Sequence, residues 1–493
     1  CQEARIHKLL TCCASPTLLG KILRDQWQFT GHVVSDCGAI EDISDRHKLA
    51  DSHAAAAALA VSAGCDLCCG CAYEALVEAV EQGLVSEAQI DQCLRRLLKT
   101  RFRLGMFDPP EMVPYTQIPA DIVGKPEHRA LARHAARKSM VLLKNTGLLP
   151  LSRSVSSIAV IGPNADNLTA QLGNYHGVPI SPITILQGIR QVVSSAVDVR
   201  YAAGCDIVSE DERGFAEAVR LAELSDVVIF VGGLSQVLEG EELQDEGVPP
   251  GTTSQGDRTT IELPAIQEAL LKRLHATGKP IALVLLGGST IAIPWADETL
   301  PAILQAWYPG EAGEGVADVL FGDYNPAGRL PLTVYRATSD LPTFESYDMH
   351  GRTYRYFEGE SLYPFGYGLS YTTFHYDDLR LSTELLQEGE TVSVSVTVTN
   401  TGSMAGDEVA QVYVRRLSAH ETRFPRLALR GFQRFHLKAG EKREIVFEIS
   451  AKAFASITDA GESVILPGEY ELCIGGQPPL KGAGVVCTQI TVR

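Results

Sequence analysis

Three apolar runs constrain this chain more than anything else in it. They are Ile158-Ala159-Val160-Ile161-Gly162, the stretch 226–233 (DVVIFVGG) and the stretch 281–288 (IALVLLGG). None shows the in–out alternation of a half-exposed strand, and each ends on glycine. A strand that is apolar on both sides must be covered on both sides, which is the signature of a parallel sheet between helical layers. Helical patterns at 211–222 and 264–276 separate the runs, and Ala302-Ile303-Leu304-Gln305-Ala306-Trp307 supplies a fourth strand. The expectation is an open, mostly parallel sheet with helices on both faces. The segment IGPNAD (161–166) lacks both G-x-G-x-x-G and G-x-x-x-x-G-K-[ST], so Gly162 reads as a strand-to-turn glycine rather than part of a phosphate loop.

The periodicity changes from Leu379 onward. Thr391 to Asn400 (TVSVSVTVTN) alternates strictly, and further short strands follow at 410–414, 442–449, 470–474 and 484–492. Regular strands with turn signals between them predict a small antiparallel sandwich. Cys473 and Cys487 fall in this part, and their pairing stays open at this level. The preceding stretch, 341–374, is aromatic and Gly-rich without a helical period. It reads as an ordered connector that docks domains by hydrophobic contact, with sugar binding as the secondary reading.

The first 108 residues alternate helix and strand. Ser15-Pro16-Thr17 opens a helix, and 51–63 is an Ala-rich helix stopped by Gly64. Residues 65–68 read as a short strand, 73–83 and 86–104 as helices, the latter with a Ser86/Gln89 capping box. Cys1 to Leu10 supports no assignment. Val33-Val34 predicts a strand buried on both faces, ending abruptly on Ser35-Asp36, with Gly38 supplying a turn. Asp36 then has two readings: a cap for the next helix, the commoner role, or a carboxylate at the C-terminal lip of a parallel strand, where α/β enzymes keep their chemistry. Only about two strand–helix units fit before residue 108, whereas an eightfold barrel takes roughly 250 residues.

Charge and cysteine usage narrow the function. The chain has 493 residues, a formal net charge of −17 and no Lys/Arg cluster, so roughly three domains are expected. That balance argues against nucleic acid or an anionic membrane as partner and suits a neutral substrate such as a sugar. No run of eighteen apolar residues occurs, and no signal peptide is visible after Cys1. Cys65, Cys68, Cys69 and Cys71 are crowded together, but a zinc site needs a second ligand pair at a suitable distance, and Cys93 stands alone. Packing is the favoured reading, with no metal and no cofactor expected.

Gly31 to Ile40 (GHVVSDCGAI) resembles the nucleophile segment of glycoside hydrolase family 3. The resemblance implies that Asp36 attacks the anomeric carbon. GGLSQVLEGEE followed by QGDRTTIELP is similar to the family's acid/base segment, in which the general acid stands shortly before an Asp-Arg pair. Taken alone, a Glu run in a loop is usually solvated surface. The resemblance instead places the acid there, at Glu241 first and Glu239 second; the gap to Asp257-Arg258 is longer than in the family's short pattern. KSMVLLKNTGLLPL, IAVIGPNAD, WYPGEAGEGVADVLFGDYNPAGRLPLTVY, YPFGYGLSYTTF and NTGSMAGDEVAQVYV resemble the family's later domains, and Ser-Asp-Cys-Gly-Ala-Ile with GNYHGVP is most similar to its β-xylosidases.

The implied fold class is α/β plus all-β. Residues 1–108 would be the C-terminal part of a (β/α)8 barrel, 109–124 a linker, 125–337 an α/β sandwich domain, 338–378 a connector and 379–493 a fibronectin type III-like β-sandwich. The implied activity is that of a retaining exo-acting β-glycosidase on terminal β-D-xylose or β-D-glucose of an oligosaccharide, secreted or periplasmic. In the family, a Lys-His pair and Arg residues that hold the sugar come from earlier barrel strands, which lie outside this sequence. The competing expectation is a non-catalytic carbohydrate-binding or structural remnant.

Overall fold

The computed structural model describes residues 11–239, 258–344, 346, 348–417, 425–458, 461–479 and 484–493. The chain forms two compact units, one of 1–122 with 343–348 and one of 123–342 with 349–493.

In the first unit a helix over Pro16–Gln26, with Leu18 N–H donating to Ser15 Oγ at 3.2 Å, leads to strand β1 (Val34–Cys37). The Ala-rich helix His53–Ala63 ends at Gly64 and leads to β2 (Leu67–Cys69). β2 lies parallel to β1, with Val34 opposite Leu67 and Cys37 opposite Cys69. One expectation is corrected here: Val34 is 50% exposed, so β1 is not buried on both faces. Among the described residues β1 pairs with β2 only. Ile40 and Ile43 anchor the following turn in a core with Ala56, Ala60 and Cys65.

The second unit is built on a six-stranded sheet. Its strands are β3 (Val141–Asn145), β4 (Ser157–Ile161), β5 (Asp198–Ala202), β6 (Val227–Gly233), β7 (Ile281–Leu286) and β8 (Ala302–Gln305), in the order β3-β8-β7-β6-β4-β5. All pairs are parallel except β3 with β8. The all-apolar runs have a direct cause. Ala159, Ile161, Val228, Phe230, Leu283 and Leu285 enter one core, while their chain neighbours Ile158, Val160, Ile229, Val231, Ala282 and Val284 enter the other. The pleat divides one hydrophobic run between two helical layers, and each large side chain so buried contributes about 1.5–3 kcal/mol.

The C-terminal part pairs strands in two sheets. β9 (Phe374–Leu381), β11 (Thr391–Asn400) and β14 (Lys442–Ser450) make one. β10 (Leu385–Leu386), β12 (Gly406–Arg416), β13 (Ala428–Leu437), β17 (Gly468–Gly475) and β18 (Val486–Val492) make the other, and β15 (Ala455–Ile457) with β16 (Ser463–Ile465) forms a small hairpin. Val392, Val394, Val396 and Val398 are fully buried, as the strict alternation requires. Cys473 and Cys487 face each other across β17 and β18 and form a disulfide. The aromatic stretch before the sandwich docks on the α/β layer: Tyr363 donates to Asp297 Oδ1 at 2.6 Å and Tyr371 to the Val319 carbonyl at 2.8 Å.

A buried ion pair joins the two layers of this unit. Arg329 Nη2 donates to Glu408 Oε2 at 3.1 Å, and Tyr376 donates to Glu408 Oε1 at 2.8 Å. Arg329 Nε also donates to the Gly476 carbonyl at 2.7 Å. Removing one member of such a pair strands a buried charge. Glu408→Ala is expected to cost about 3–5 kcal/mol in urea unfolding, whereas Arg329→Met with Glu408→Leu recovers most of it. A single-variant loss below about 1 kcal/mol would show that the pair does not hold the junction.

Candidate active site

The entry of β1 is organised by a carboxylate other than Asp36. The Asp66 side chain is completely buried, at the start of β2, and needs charge compensation. It accepts from Arg24 Nη2 at 2.9 Å, from Arg96 Nη1 at 2.8 Å and from the Val33 amide at 2.9 Å. The two guanidiniums come from different helices, so one buried charge ties both helices to the entry of β1. Further along, Ser35 turns inward and its Oγ accepts from the Cys69 amide at 2.9 Å. The pleat therefore sends the next residue outward: Asp36 is exposed, with Oδ1 accepting from the Cys37 amide at 2.8 Å.

Asp36 does not cap a helix in the usual way; its hydrogen bond is to the next residue, and the helix Glu41–Asp45 begins after Ile40. Gly38 makes the turn at a φ of 73°, a backbone region closed to most residues, and its amide donates to the Cys69 carbonyl at 2.8 Å. Cys37 and Cys69 are joined by a disulfide. Of the crowded cysteines, Cys69 is therefore a crosslink, and Cys65 is buried packing beside Cys13 and Cys68. Glu41 closes the corner by accepting from the Ala72 amide at 2.8 Å and from the Cys71 amide. Burial pushes the Glu41 carboxyl up, but these amides overcome it and the net direction is down.

The second candidate segment follows β6. Gly233 ends that strand at a φ of 120°, and a Cβ there would lie 2.0 Å from the Leu286 carbonyl oxygen, so only glycine fits. The chain then makes one turn, with the Leu238 and Glu239 amides donating to the Ser235 carbonyl, each at 3.0 Å. Leu238 is pulled into the core and Glu239 is left at the lip, half-buried. Its Oε2 accepts from the Gly288 amide at 2.8 Å and from the Tyr308 hydroxyl, and its Oε1 accepts from the Ser289 hydroxyl. Its backbone carbonyl accepts from Asn174 Nδ2 at 2.9 Å. Arg258 Nη1 donates to the same Ser289 Oγ at 2.9 Å and to the Thr290 carbonyl at 3.0 Å.

The electrostatics of the Glu239 cluster are consistent. Burial, reinforced by the Glu239 charge, holds the Tyr308 phenol well above its ordinary range, so it remains an O–H donor. Burial pulls the Arg258 guanidinium below its usual value, and the charges of Glu239, Tyr308 and Glu262 oppose that. A guanidinium nevertheless stays protonated in proteins. Glu239 is thus held as an acceptor by donors from three chain segments. Asp36 lies in the first unit and Glu239 in the second, while Glu241 and the rest of 240–257 lie outside the described residues. Sequence reasoning missed Asp66, Ser289, Tyr308 and the Cys37–Cys69 bond.

The comparisons with known proteins now bear on this arrangement. The model of the glycosyl hydrolase family 3 N-terminal domain matches residues 7–100, that of the family 3 C-terminal domain residues 140–371, and that of the fibronectin type III-like domain residues 408–477. A xylan 1,4-β-xylosidase of Xylanibacter ruminicola is 33% identical over 94% of this chain and 70% of its own length. Among solved structures, a β-glucosidase of Erythrobacter marinus aligns with a TM-score of 0.86 at 33% identity, over 98% of this chain and 66% of that one. The exo-β-xylosidase XlnD, solved with a xylobiose aziridine activity-based probe, aligns with a TM-score of 0.85 at 30% identity, over 98% of this chain and 64% of that one. The chain belongs to glycoside hydrolase family 3, and it spans about two thirds of the length of these relatives. It combines mixed α/β structure with a fibronectin type III-like β-sandwich.

The disulfide beside Asp36 yields a prediction. It closes a loop of 32 residues between two paired strands, and such a crosslink is worth about 2–4 kcal/mol. Cys37→Ser with Cys69→Ser is expected to lose that much in denaturant unfolding. In a background that also carries Cys473→Ser and Cys487→Ser, which removes the other disulfide, added reductant should reproduce the loss when Cys37 and Cys69 are present and have no effect when they are replaced. A parent protein whose unfolding ignores reductant would contradict the assignment.

Proposed function

We propose that this chain forms part of a retaining, exo-acting β-glycosidase that removes terminal non-reducing β-D-xylose, or β-D-glucose, from oligosaccharides. The observation that carries the proposal is the exposed Asp36 carboxylate at the C-terminal end of β1, in a Ser-Asp-Cys segment of a family 3 chain. Relatives named β-xylosidase and β-glucosidase support the substrate class. Ser-Asp-Cys-Gly-Ala-Ile and GNYHGVP favour xylose. Under this proposal residues 1–108 belong to a (β/α)8 barrel, 109–124 is a linker, 125–337 is the α/β sandwich domain, 338–378 a connector and 379–493 the fibronectin-like domain.

In this mechanism Asp36 attacks the anomeric carbon as the leaving oxygen takes a proton from the acid, Glu241 in the first instance. A covalent glycosyl-enzyme forms. The same Glu, now a base, activates the water that releases the sugar with retained configuration. An assay on xylobiose separates this function from a non-catalytic carbohydrate-binding role.

The nucleophile assignment is tested in the full natural gene product. Asp36→Ala should abolish turnover of aryl β-xylosides, and Asp36→Gly should regain it with azide. Azide in the place of the carboxylate attacks opposite the leaving group, so the product should be the α-glycosyl azide. A mechanism-based label that settles on another carboxylate would sink the assignment.

A further inference from the structure

Glu239 and Arg258 flank the stretch 240–257, which contains Glu241. Both flanks meet on one hydroxyl: Ser289 Oγ receives a hydrogen bond from Arg258 Nη1 at 2.9 Å and gives one to Glu239 Oε1. Ser289 belongs to the turn after β7. That turn also supplies the Gly288 amide to Glu239, and it supplies the Thr290 carbonyl to Arg258. Tyr308, just after β8, completes the set with its hydroxyl on Glu239 Oε2. The turns after β7 and β8 sit on two adjacent strands buried on both faces, so the anchor points are rigid.

This geometry is poor for a proton donor and good for a fixed point. A general acid must present an O–H to the leaving oxygen. Both oxygens of Glu239 are instead occupied as acceptors, by one amide and two hydroxyls. A carboxylate met by several convergent donors has its orientation determined, as a metal ligand's orientation is determined by the groups behind it. We propose that Glu239, Ser289 and Arg258 form a clamp that fastens both flanks of 240–257 to the β7 turn, and that Glu239 is a positioning residue and not the general acid. The clamp rests on the proposed glycosidase function with its acid at Glu241. Its energetic consequence follows from placement: a misplacement of about 1 Å at a reacting group can cost on the order of 10²-fold in rate.

The test uses the full natural gene product with two substrates, xylobiose and 2,4-dinitrophenyl β-D-xyloside; the second needs no proton to lose its leaving group. Glu239→Gln should lower kcat/KM for xylobiose about 10- to 100-fold through the displaced acid and spare that of the aryl substrate, which needs no proton. Azide should not restore it, and the alkaline limb of the pH–rate profile should stay where it is. Ser289→Ala should act in the same direction, and adding it to Glu239→Gln should cost little more, because the two residues work as one unit. Glu241→Gln should behave differently. It should lose about 10²–10⁴-fold on xylobiose together with the alkaline limb, keep kcat/KM for the aryl substrate, whose kcat falls until azide restores it, and form the β-xylosyl azide.

If Glu239→Gln removes the alkaline limb, loses xylobiose as far as Glu241→Gln does and yields the β-azide, Glu239 is the acid and the clamp is wrong, while the glycosidase function stands. If Glu239→Gln and Ser289→Ala both stay within twofold of the parent, the clamp is also wrong. Thermal unfolding of each variant checks folding. Should Glu239→Gln fail to fold, Tyr308→Phe decides. A loss on xylobiose with the aryl substrate spared and an unmoved alkaline limb supports the clamp, and a moved limb overturns it. A parent protein that cleaves neither these substrates nor the corresponding β-glucosides would fail the glycosidase function itself, and the clamp with it.

Discussion

The second unit depends on burying both faces of its sheet. β4, β6 and β7 have no exposed side, so the apolar residues of each are shared out to two cores by the pleat alone. A one-residue slip in any of these strands would send each side chain to the opposite core, among neighbours it is not packed to meet. The register is therefore strongly specified, and with it the height at which each strand ends. Those ends set the lip. Gly233, pressed against the Leu286 carbonyl, marks where β6 can stop, and Glu239 stands one turn further on.

Three carboxylates show how burial decides a role. Asp66 is fully enclosed and is held by two guanidiniums and an amide, the compensation that a buried charge demands. Such a group is committed to structure. Asp36 keeps one amide contact and open access, which suits a group that must meet a substrate. Glu239 falls between these, half-buried and surrounded by donors. Their side-chain chemistry is nearly the same, and their neighbours separate them.

Much of the fold was legible in the sequence because periodicity is a local signal. The both-face burial of β4, β6 and β7 and the alternation of Val392, Val394, Val396 and Val398 can each be read within ten residues. The β1 strand misled for the same reason: Val33-Val34 looks like a core strand, but whether Val34 is covered depends on what packs over its face of the sheet, which local pattern does not encode. Partners distant in the chain were equally illegible. Glu239 meets Ser289 and Tyr308 from 50 and 69 residues away, and nothing in the Glu run at 239–242 distinguishes the member that will find donors. Cys37 could have paired with any of the crowded cysteines. The parallel register that sets it opposite Cys69 made the choice.

The placement of Arg258 shows why the longer gap between the Glu run and the Asp-Arg pair is tolerable. Closing a flexible stretch costs only about 0.6 kcal/mol for each doubling of its length, provided that its ends are already together. Here the ends are brought together by a single hydroxyl group on a turn of the sheet. The number of residues between Glu239 and Arg258 therefore leaves these two flanks where the Ser289 hydroxyl holds them. Length variation in this segment is thereby separated from the geometry of the lip. A carboxylate in the position of Glu239 is what makes that separation work, because it can accept from the sheet turn on one oxygen while the other reaches the hydroxyl shared with Arg258.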